Sequence, residues 1–297
     1  MPGAGYLRVL LVFSLLSTSG CAWLDAKQRQ IIYRPSLGAP ASAAAQRTGD
    51  ERYFITLPPA TASSATAPSP EAQRIELWWL PNANQAAPTL LYLHGTFRTV
   101  FENLHKIESL RSAGLSVLAV DYRGWGLSTP ITPSEQTILQ DTDLAWTELQ
   151  RREPRAAQRV IYGHSMGSGA AVDLASRLQA PHDYGGLILE SAFTSFSDVA
   201  REAGYLTQFL DLFISERFAS IEKIGRVNAP LLMIHGTLDS TIPLRLGQQL
   251  FAAANPPKHW LPIEGGDHSD LNQVGHAPYQ AALKRFIVED LDQKQAP

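Results

Sequence analysis

The chain has 297 residues, 44% of them hydrophobic and 18% charged, with a formal net charge of −3. This is the balance of an ordinary globular protein, and the length without its ends suits one domain of roughly 250 residues with a large core. The charge gives no electrostatic case for a nucleic-acid partner, and no basic cluster stands out.

At the N-terminus Arg8 precedes a mostly apolar eight-residue run, Val9 to Leu16, and the small residues Ser17-Thr18-Ser19-Gly20 lead to Cys21. Such a run is too short to cross a bilayer, which needs about 20 residues, so residues 1–20 are expected to be a signal peptide. The pattern resembles a bacterial lipoprotein signal, in which the cysteine after the cleavage point carries lipid. It departs from that pattern at Thr18, where leucine is usual. The resemblance implies lipidation at Cys21, a place on the periplasmic side of the cell envelope and, with Ala22 following, the outer membrane. Plain secretion and an uncleaved weak anchor are the alternatives. Cys21 is the only cysteine, so no intramolecular disulfide is available.

Residues 21–50 read as a tether, since Ser36 to Thr48 is dominated by alanine, serine, glycine and proline, although Ile31 to Pro35 has the character of a docking segment. A domain is expected over 51–292. Its first two strand-like runs, Arg52 to Leu57 and Arg74 to Leu80, flank a long hairpin loop, Ala60 to Ala72. From Thr89 onward, short apolar runs alternate with amphipathic segments. The runs are Leu90–Leu93, Val117–Val120, Val160–Tyr162, Leu187–Leu189, Leu231–Ile234 and Trp260–Ile263. Helices are expected near Phe101–Ser112, Thr137–Arg152, Gly167–Gln179, Leu244–Ala254 and Pro278–Leu291. The alternation predicts an α/β fold with a mostly parallel eight-stranded sheet and helices on both faces. One stretch breaks the rhythm: 192–229 has no strand, and Leu206, Phe209, Leu210 and Phe213 are spaced as one helical face. It reads either as a helix packed over the sheet or as a small cap whose apolar side lines a cleft.

Polar residues gather at the predicted strand ends, where ligands bind to parallel sheets. Gly163-His164-Ser165-Met166-Gly167 follows one strand and opens an alanine-rich helix, the setting of a nucleophile elbow. Asp239 follows another strand, and His268 follows the last. A serine hydroxyl needs a neighbouring imidazole to accept its proton, which assigns His268 as base and Asp239 as the group that orients it. Two backbone donors are expected for a developing oxyanion: the N–H of Met166, and an N–H in the His94-Gly95-Thr96-Phe97 loop, assigned to Thr96 with Phe97 as alternative.

With these motifs the chain resembles α/β-hydrolases of the serine-aminopeptidase-like group. The matching stretches are Leu93-His94-Gly95, Asp121 to Ser128, Gly163 to Gly167, His235 to Asp239 and Gly266-Asp267-His268. They span about Arg74 to Phe286. The resemblance implies hydrolysis of an ester, thioester or amide of a small-molecule or acyl substrate, without a cofactor, beneath a modest cap. Thr96-Phe97-Arg98 stands where many relatives have a small Asn-Ala-Gly loop, so Phe97 and Arg98 are expected to narrow the acyl pocket or meet a polar end of the substrate.

Other readings have weaker support. Gly163 to Gly169 also fits a dinucleotide-binding glycine spacing, but it follows a middle strand and no Tyr-x-x-x-Lys pair occurs. Glu190 is an alternative triad acid, and His276 an alternative base. His94, His235 and Arg123 are expected to hold structure. No cysteine pair, His-x-x-x-His or Asp-rich loop indicates a metal. An aminopeptidase would want a carboxylate near the pocket, with Glu190, Glu202 and Asp211 as candidates. A non-catalytic envelope lipoprotein on the same scaffold is the reading from a different class.

Overall fold

The computed structural model of the chain describes residues 25–38, 48–57, 72–204 and 216–291. The signal segment, Cys21, the hairpin loop and the apolar face from Leu206 to Phe213 lie outside the described residues. Eight strands form one sheet: β1 (Glu51–Thr56), β2 (Arg74–Leu80), β3 (Thr89–Leu93), β4 (Ser116–Asp121), β5 (Arg159–His164), β6 (Gly186–Glu190), β7 (Leu231–Gly236) and β8 (Lys258–Ile263). Their order is β1-β2-β4-β3-β5-β6-β7-β8. The β1–β2 and β2–β4 pairs are antiparallel, and every pair from β4 through β8 is parallel.

Side chains alternate across this sheet, and both faces are dry. Leu91, Leu93, Leu118, Val120, Ile161 and Met233 join one core. Leu90, Tyr92, Val117, Ala119, Tyr162 and Leu232 join the other. Strands covered on both faces read as continuous apolar runs, the pattern that made them visible in the sequence. The first core is closed by α3 (Glu135–Arg152), α4 (Met166–Ala175) and α6 (Leu244–Ala253), and the second by α2 (Leu104–Ser112) and α8 (His276–Arg285). Two short helices, α5 (Phe196–Glu202) and α7 (Leu271–Val274), complete the set after β6 and β8. Helix α3 starts at Ser134, whose hydroxyl accepts the N–H of Thr137 in a capping box that satisfies two otherwise orphaned groups.

Part of the expected tether is docked. Residues 25–33 form a helix, α1, whose last residue Tyr33 is fully buried. The Tyr33 ring meets Trp125 edge-on and lies beside Phe196. Its hydroxyl donates to Glu216, which also accepts from the Glu135 N–H and pairs with Arg29 at 2.9 Å. Leu37 then bridges to Gly126. The polar sequence of 25–30 conceals this contact, because its partners lie more than ninety residues further along the chain.

Among the described parts of 192–229 are α5 and the turns at Ser220–Glu222 and Ile224–Arg226, and Phe193 and Phe218, just outside them, join Phe196 of α5 in one aromatic cluster. No helix among the described residues is long and apolar enough to cross a membrane.

The sheet order places a switch point between β3 and β5: the β3 connection leads to β4 on one side, while β5 and its successors continue on the other. Loops leaving the carboxyl ends of two such strands diverge and open a crevice. Gly95 and Ser165 lie at the mouth of this crevice.

Candidate functional site

The strand-to-helix turn after β5 is built by sterics. Ser165 is forced to φ 55° and ψ −124° between β5 and α4, a conformation that costs an L-residue about 1–3 kcal/mol. A Cβ on Gly163 would come within 2.6 Å of the Ser168 backbone, and one on Gly167 within 2.7 Å of the His94 carbonyl. No side chain fits at either position, so the two glycines flanking the serine are requirements of close packing. The Ser165 N–H is held by the Glu190 carbonyl at 3.0 Å.

Three side chains from separate strand ends meet. His268 Nε2 lies 2.9 Å from Ser165 Oγ. His268 Nδ1 lies 2.9 and 3.0 Å from the two Asp239 oxygens. A carboxylate can only accept, so Nδ1 carries the proton and Nε2 is left to accept from the serine. Asp239 Oδ1 also accepts the N–H groups of Thr241 and Ile242, at 3.0 and 2.7 Å. Burial pushes the Asp239 carboxyl up, but the His268 contact, the Ile242 N–H and nearby His235 outweigh it and hold the group below the usual carboxylate range.

A ring of neutral histidines braces this cluster. His164 Nε2 donates to the His268 carbonyl at 3.0 Å, and Ser191 Oγ donates to the same oxygen at 3.2 Å. Burial drives His164 well below the ordinary imidazole value, with the Lys106 charge adding to the effect and Arg98 contributing. His235 Nε2 donates to the Ile242 carbonyl at 2.9 Å, steadying the Asp239 loop, and burial lowers its pKa too. His94 Nδ1 donates to the Gly95 carbonyl at 2.6 Å, and burial brings its pKa down to about 4. Both His94 and His235 therefore hold backbone groups. Arg123 bonds Asp141 through Nε and backbone N–H, both at 2.8 Å, an anchor between the β4 loop and α3.

Glu190 is engaged elsewhere than at His268. Its carboxylate pairs with Lys106 and accepts from the hydroxyls of Tyr162 and Tyr279 at 2.6 and 2.8 Å, all fully buried. His276 is exposed at the start of α8. The geometry therefore gives the imidazole to Asp239 and the serine to His268. The sequence did not reveal the brace from His164 to the His268 loop or the Lys106 pair. The one available signal was a histidine directly before the elbow serine.

Above Ser165 opens a cavity of about 330 Å³, lined by Thr96, Phe97, Arg98, Thr241, Asp267 and Ser269 among others. A ligand pocket at this small end of the usual range has walls of mixed polarity here, with Phe97 as its aromatic side. Gly95 passes so close to Ser165 that a Cβ there would lie 2.9 Å from Ser165 Cβ. Beyond it, the Arg98 N–H donates to the Thr96 carbonyl at 3.0 Å, a tight turn around Phe97 at φ 73°. Among the described residues, the N–H groups of Thr96 and Phe97 have no acceptor. Met166 is the first residue of α4, so its N–H has no intrahelical partner either. Three donors thus remain available near Ser165. No group of three histidine, cysteine, aspartate or glutamate side chains suited to a metal occurs among the described residues.

This sheet order, with an elbow after β5 and an imidazole loop after β8, is the architecture of the α/β-hydrolases. The chain belongs to that family. The family model described as serine aminopeptidase, S33, matches residues 84–220. α/β hydrolase domain-containing protein 17B of Xenopus tropicalis is 33% identical over 213 residues, covering 71% of this chain and 69% of that protein. An uncharacterized protein of Mycobacterium tuberculosis is 30% identical over 285 residues, 95% of each chain. Among solved structures, an esterase of Pyrococcus furiosus superposes with a TM-score of 0.63 at 18% identity, covering 86% of this chain and 97% of that one.

Proposed function

We propose that the protein is a serine hydrolase that cleaves a carboxylic ester or thioester through an acyl-enzyme. The observation that carries this reading is one unbroken line of contacts, Ser165 Oγ to His268 Nε2 and His268 Nδ1 to Asp239, each at 2.9 Å. His268 takes the Ser165 proton as Oγ bonds the substrate carbonyl carbon, and the carbonyl π electrons move onto oxygen. The N–H groups of Met166 and Thr96 receive that oxyanion, with Phe97 as the other donor of the loop. When the carbonyl re-forms, the bond to the leaving oxygen or sulfur breaks, and His268 returns its proton there. Water then repeats the sequence on the acyl-serine, releasing the acid and restoring the hydroxyl. Asp239 keeps the imidazole in the required tautomer and offsets its transient positive charge.

Incubation with a fluorophosphonate tests this assignment. Covalent labelling of Ser165 that vanishes in Ser165→Ala is expected, and labelling that persists in the variant would overturn it. An aminopeptidase has less support. Glu190 is committed to Lys106, Glu202 pairs with Arg245, and Asp211 lies outside the described residues. The cavity acid Asp267 accepts both the N–H and the hydroxyl of Ser240 on Oδ1, at 2.8 and 2.9 Å, so one of its oxygens is already occupied.

The proposal includes a lipid anchor at Cys21 that holds the enzyme to the periplasmic side of the envelope. The support is the apolar run and small residues before this single cysteine. Metabolic labelling with an alkyne fatty acid should mark the wild type and not Cys21→Ser. Equal labelling of both would remove the anchor.

A further inference from the structure

We propose, on the basis of the serine-hydrolase reading above, that Arg98 selects esters carrying an anionic oxygen group, a carboxylate or a phosphate, a short distance from the scissile bond. Arg98 lines the cavity together with Ser165 and His268. Among the described residues its guanidinium meets no carboxylate. Arg52, Arg111, Arg123, Arg152 and Arg177, in contrast, each pair with one.

A second cation lies against a wall of the same cavity. The Arg34 guanidinium sits over the Phe97 ring, 4.8 Å from its centroid, and Phe97 is the aromatic wall of the same cavity. The only side-chain hydrogen bond of Arg34 among the described residues is a 3.4 Å contact to the Ile31 carbonyl. The acids nearby already accept hydrogen bonds, Asp267 through its Oδ1. Asp239 is held by His268 and two backbone N–H groups, and Asp267 by Ser240. The planar fork of a guanidinium matches a carboxylate or phosphate through two parallel hydrogen bonds, and a neutral ester offers no equivalent partner. In a cavity of about 330 Å³ that partner must be carried on a short acyl or alcohol group.

The test uses two matched ester pairs with the full-length protein. One pair puts the anion on the acyl side: 4-nitrophenyl monoadipate against its methyl ester. The other puts a phosphate on the alcohol side: 1-butyrylglycerol 3-phosphate against 1-butyrylglycerol. At least one anionic member should exceed its neutral match by roughly tenfold in kcat/KM, chiefly through KM, and should lose that advantage as salt is raised. Arg98→Gln should bring the ratio to about one, and Arg98→Lys should restore part of it. The pair that shows the preference identifies where the anion sits. A ratio near one for both pairs in the wild type, or a preference unchanged in Arg98→Gln, overturns the proposal. Fluorophosphonate labelling of the wild type separates the two readings. A labelled Ser165 without anion preference removes only the role of Arg98. An unlabelled, inactive protein removes the hydrolase reading, and this inference with it.

Discussion

The backbone N–H of Ser165 donates to the carbonyl oxygen of Glu190 at 3.0 Å, so the strained residue at the end of β5 is tied to the end of β6. The Glu190 side chain is in turn fixed from both sides of the chain, by Lys106 on α2 and by Tyr279 on α8. The residue whose backbone holds Ser165 is thus also one half of a buried ion pair.

Removing one member of that pair leaves a charge without its partner in a dry interior, a loss of about 3–5 kcal/mol. Lys106→Met should therefore unfold at markedly lower urea concentration than the wild type. The double variant Lys106→Met/Glu190→Gln should recover a large part of the loss, since the orphaned charge is then gone. Additive losses in the double variant would show that the two side chains are not coupled.

The backbone of Ser165 gives a prediction of unusual sign. Glycine normally destabilises relative to alanine by about 0.5–1 kcal/mol. At φ 55° and ψ −124° the Cβ is the source of strain, so removing it helps the native state. Both Ser165→Gly and Ser165→Ala lose the hydroxyl and should lose all fluorophosphonate labelling. Of the two, Ser165→Gly should be the more stable by about 1 kcal/mol in equilibrium urea unfolding. Alanine equal to or better than glycine would mean that the turn carries no strain.

Asp239 should matter for rate far more than for fold. Asp239→Asn keeps the volume and the acceptor for the Thr241 and Ile242 N–H groups, but it can present an amide to His268 Nδ1 and favour the wrong tautomer. A fall in kcat on the order of 10⁴, with an unchanged circular dichroism spectrum, is expected for any ester that the wild type turns over. A fall of less than tenfold would hand the orienting role to another group.

The sequence revealed most of the frame and little of its bracing. Strands buried on both faces announce themselves as apolar runs, and glycines forced by close approach mark the elbow, so β3 to β7 and the meeting of Ser165, Asp239 and His268 were readable. Lys106 was not, because it sits in a helix with His105, Glu108 and Arg111, a composition that suggests a solvated face. Its burial is decided by α8, more than 160 residues later. The loop donor is assigned to Thr96 with Phe97 as alternative, and the sequence offers no finer choice because the loop turns on an aromatic residue at positive φ. Local propensity gives no warning of that conformation. The docking of Tyr33 depends on Trp125, Phe196 and Glu216, none of them near it in sequence.

Asp121 makes the stability depend on pH in a defined direction. Burial pushes its carboxyl up to about 8, the nearby charge of Glu76 adds to this, and the Val100 N–H opposes it. The native chain then keeps a proton that the unfolded chain releases above its ordinary value of 3.8. The native state binds more protons across that window, so this contribution is present at low pH and is lost as pH rises through about 8. Asp121→Asn cannot titrate and retains an acceptor for Val100. Between about pH 5 and pH 7.5 the wild type should lose about 3 kcal/mol relative to the variant. His94, 3.5 Å away and neutral in the native state, acts with the opposite sign below its ordinary value but is present in both proteins. Parallel stability curves for the two proteins over this range would refute the assignment.

Tyr33 is fully buried, packed edge-on against Trp125 and beside Phe196, with its hydroxyl on Glu216. Truncating a large aromatic core side chain costs about 3–5 kcal/mol, so Tyr33→Ala should bring a loss of that size in urea unfolding. Tyr33→Phe removes only the hydroxyl. Glu216 keeps Arg29 and the Glu135 N–H, and the cost should be nearer 1 kcal/mol. The two variants also differ in their effect on the site. Arg34 follows Tyr33 directly and lies over Phe97, a wall of the cavity, so releasing helix α1 in Tyr33→Ala should withdraw that guanidinium from the Phe97 ring. KM for an ester should rise in Tyr33→Ala and stay near the wild-type value in Tyr33→Phe. A Tyr33→Ala protein with wild-type stability and KM would return residues 25–38 to the role of a plain tether.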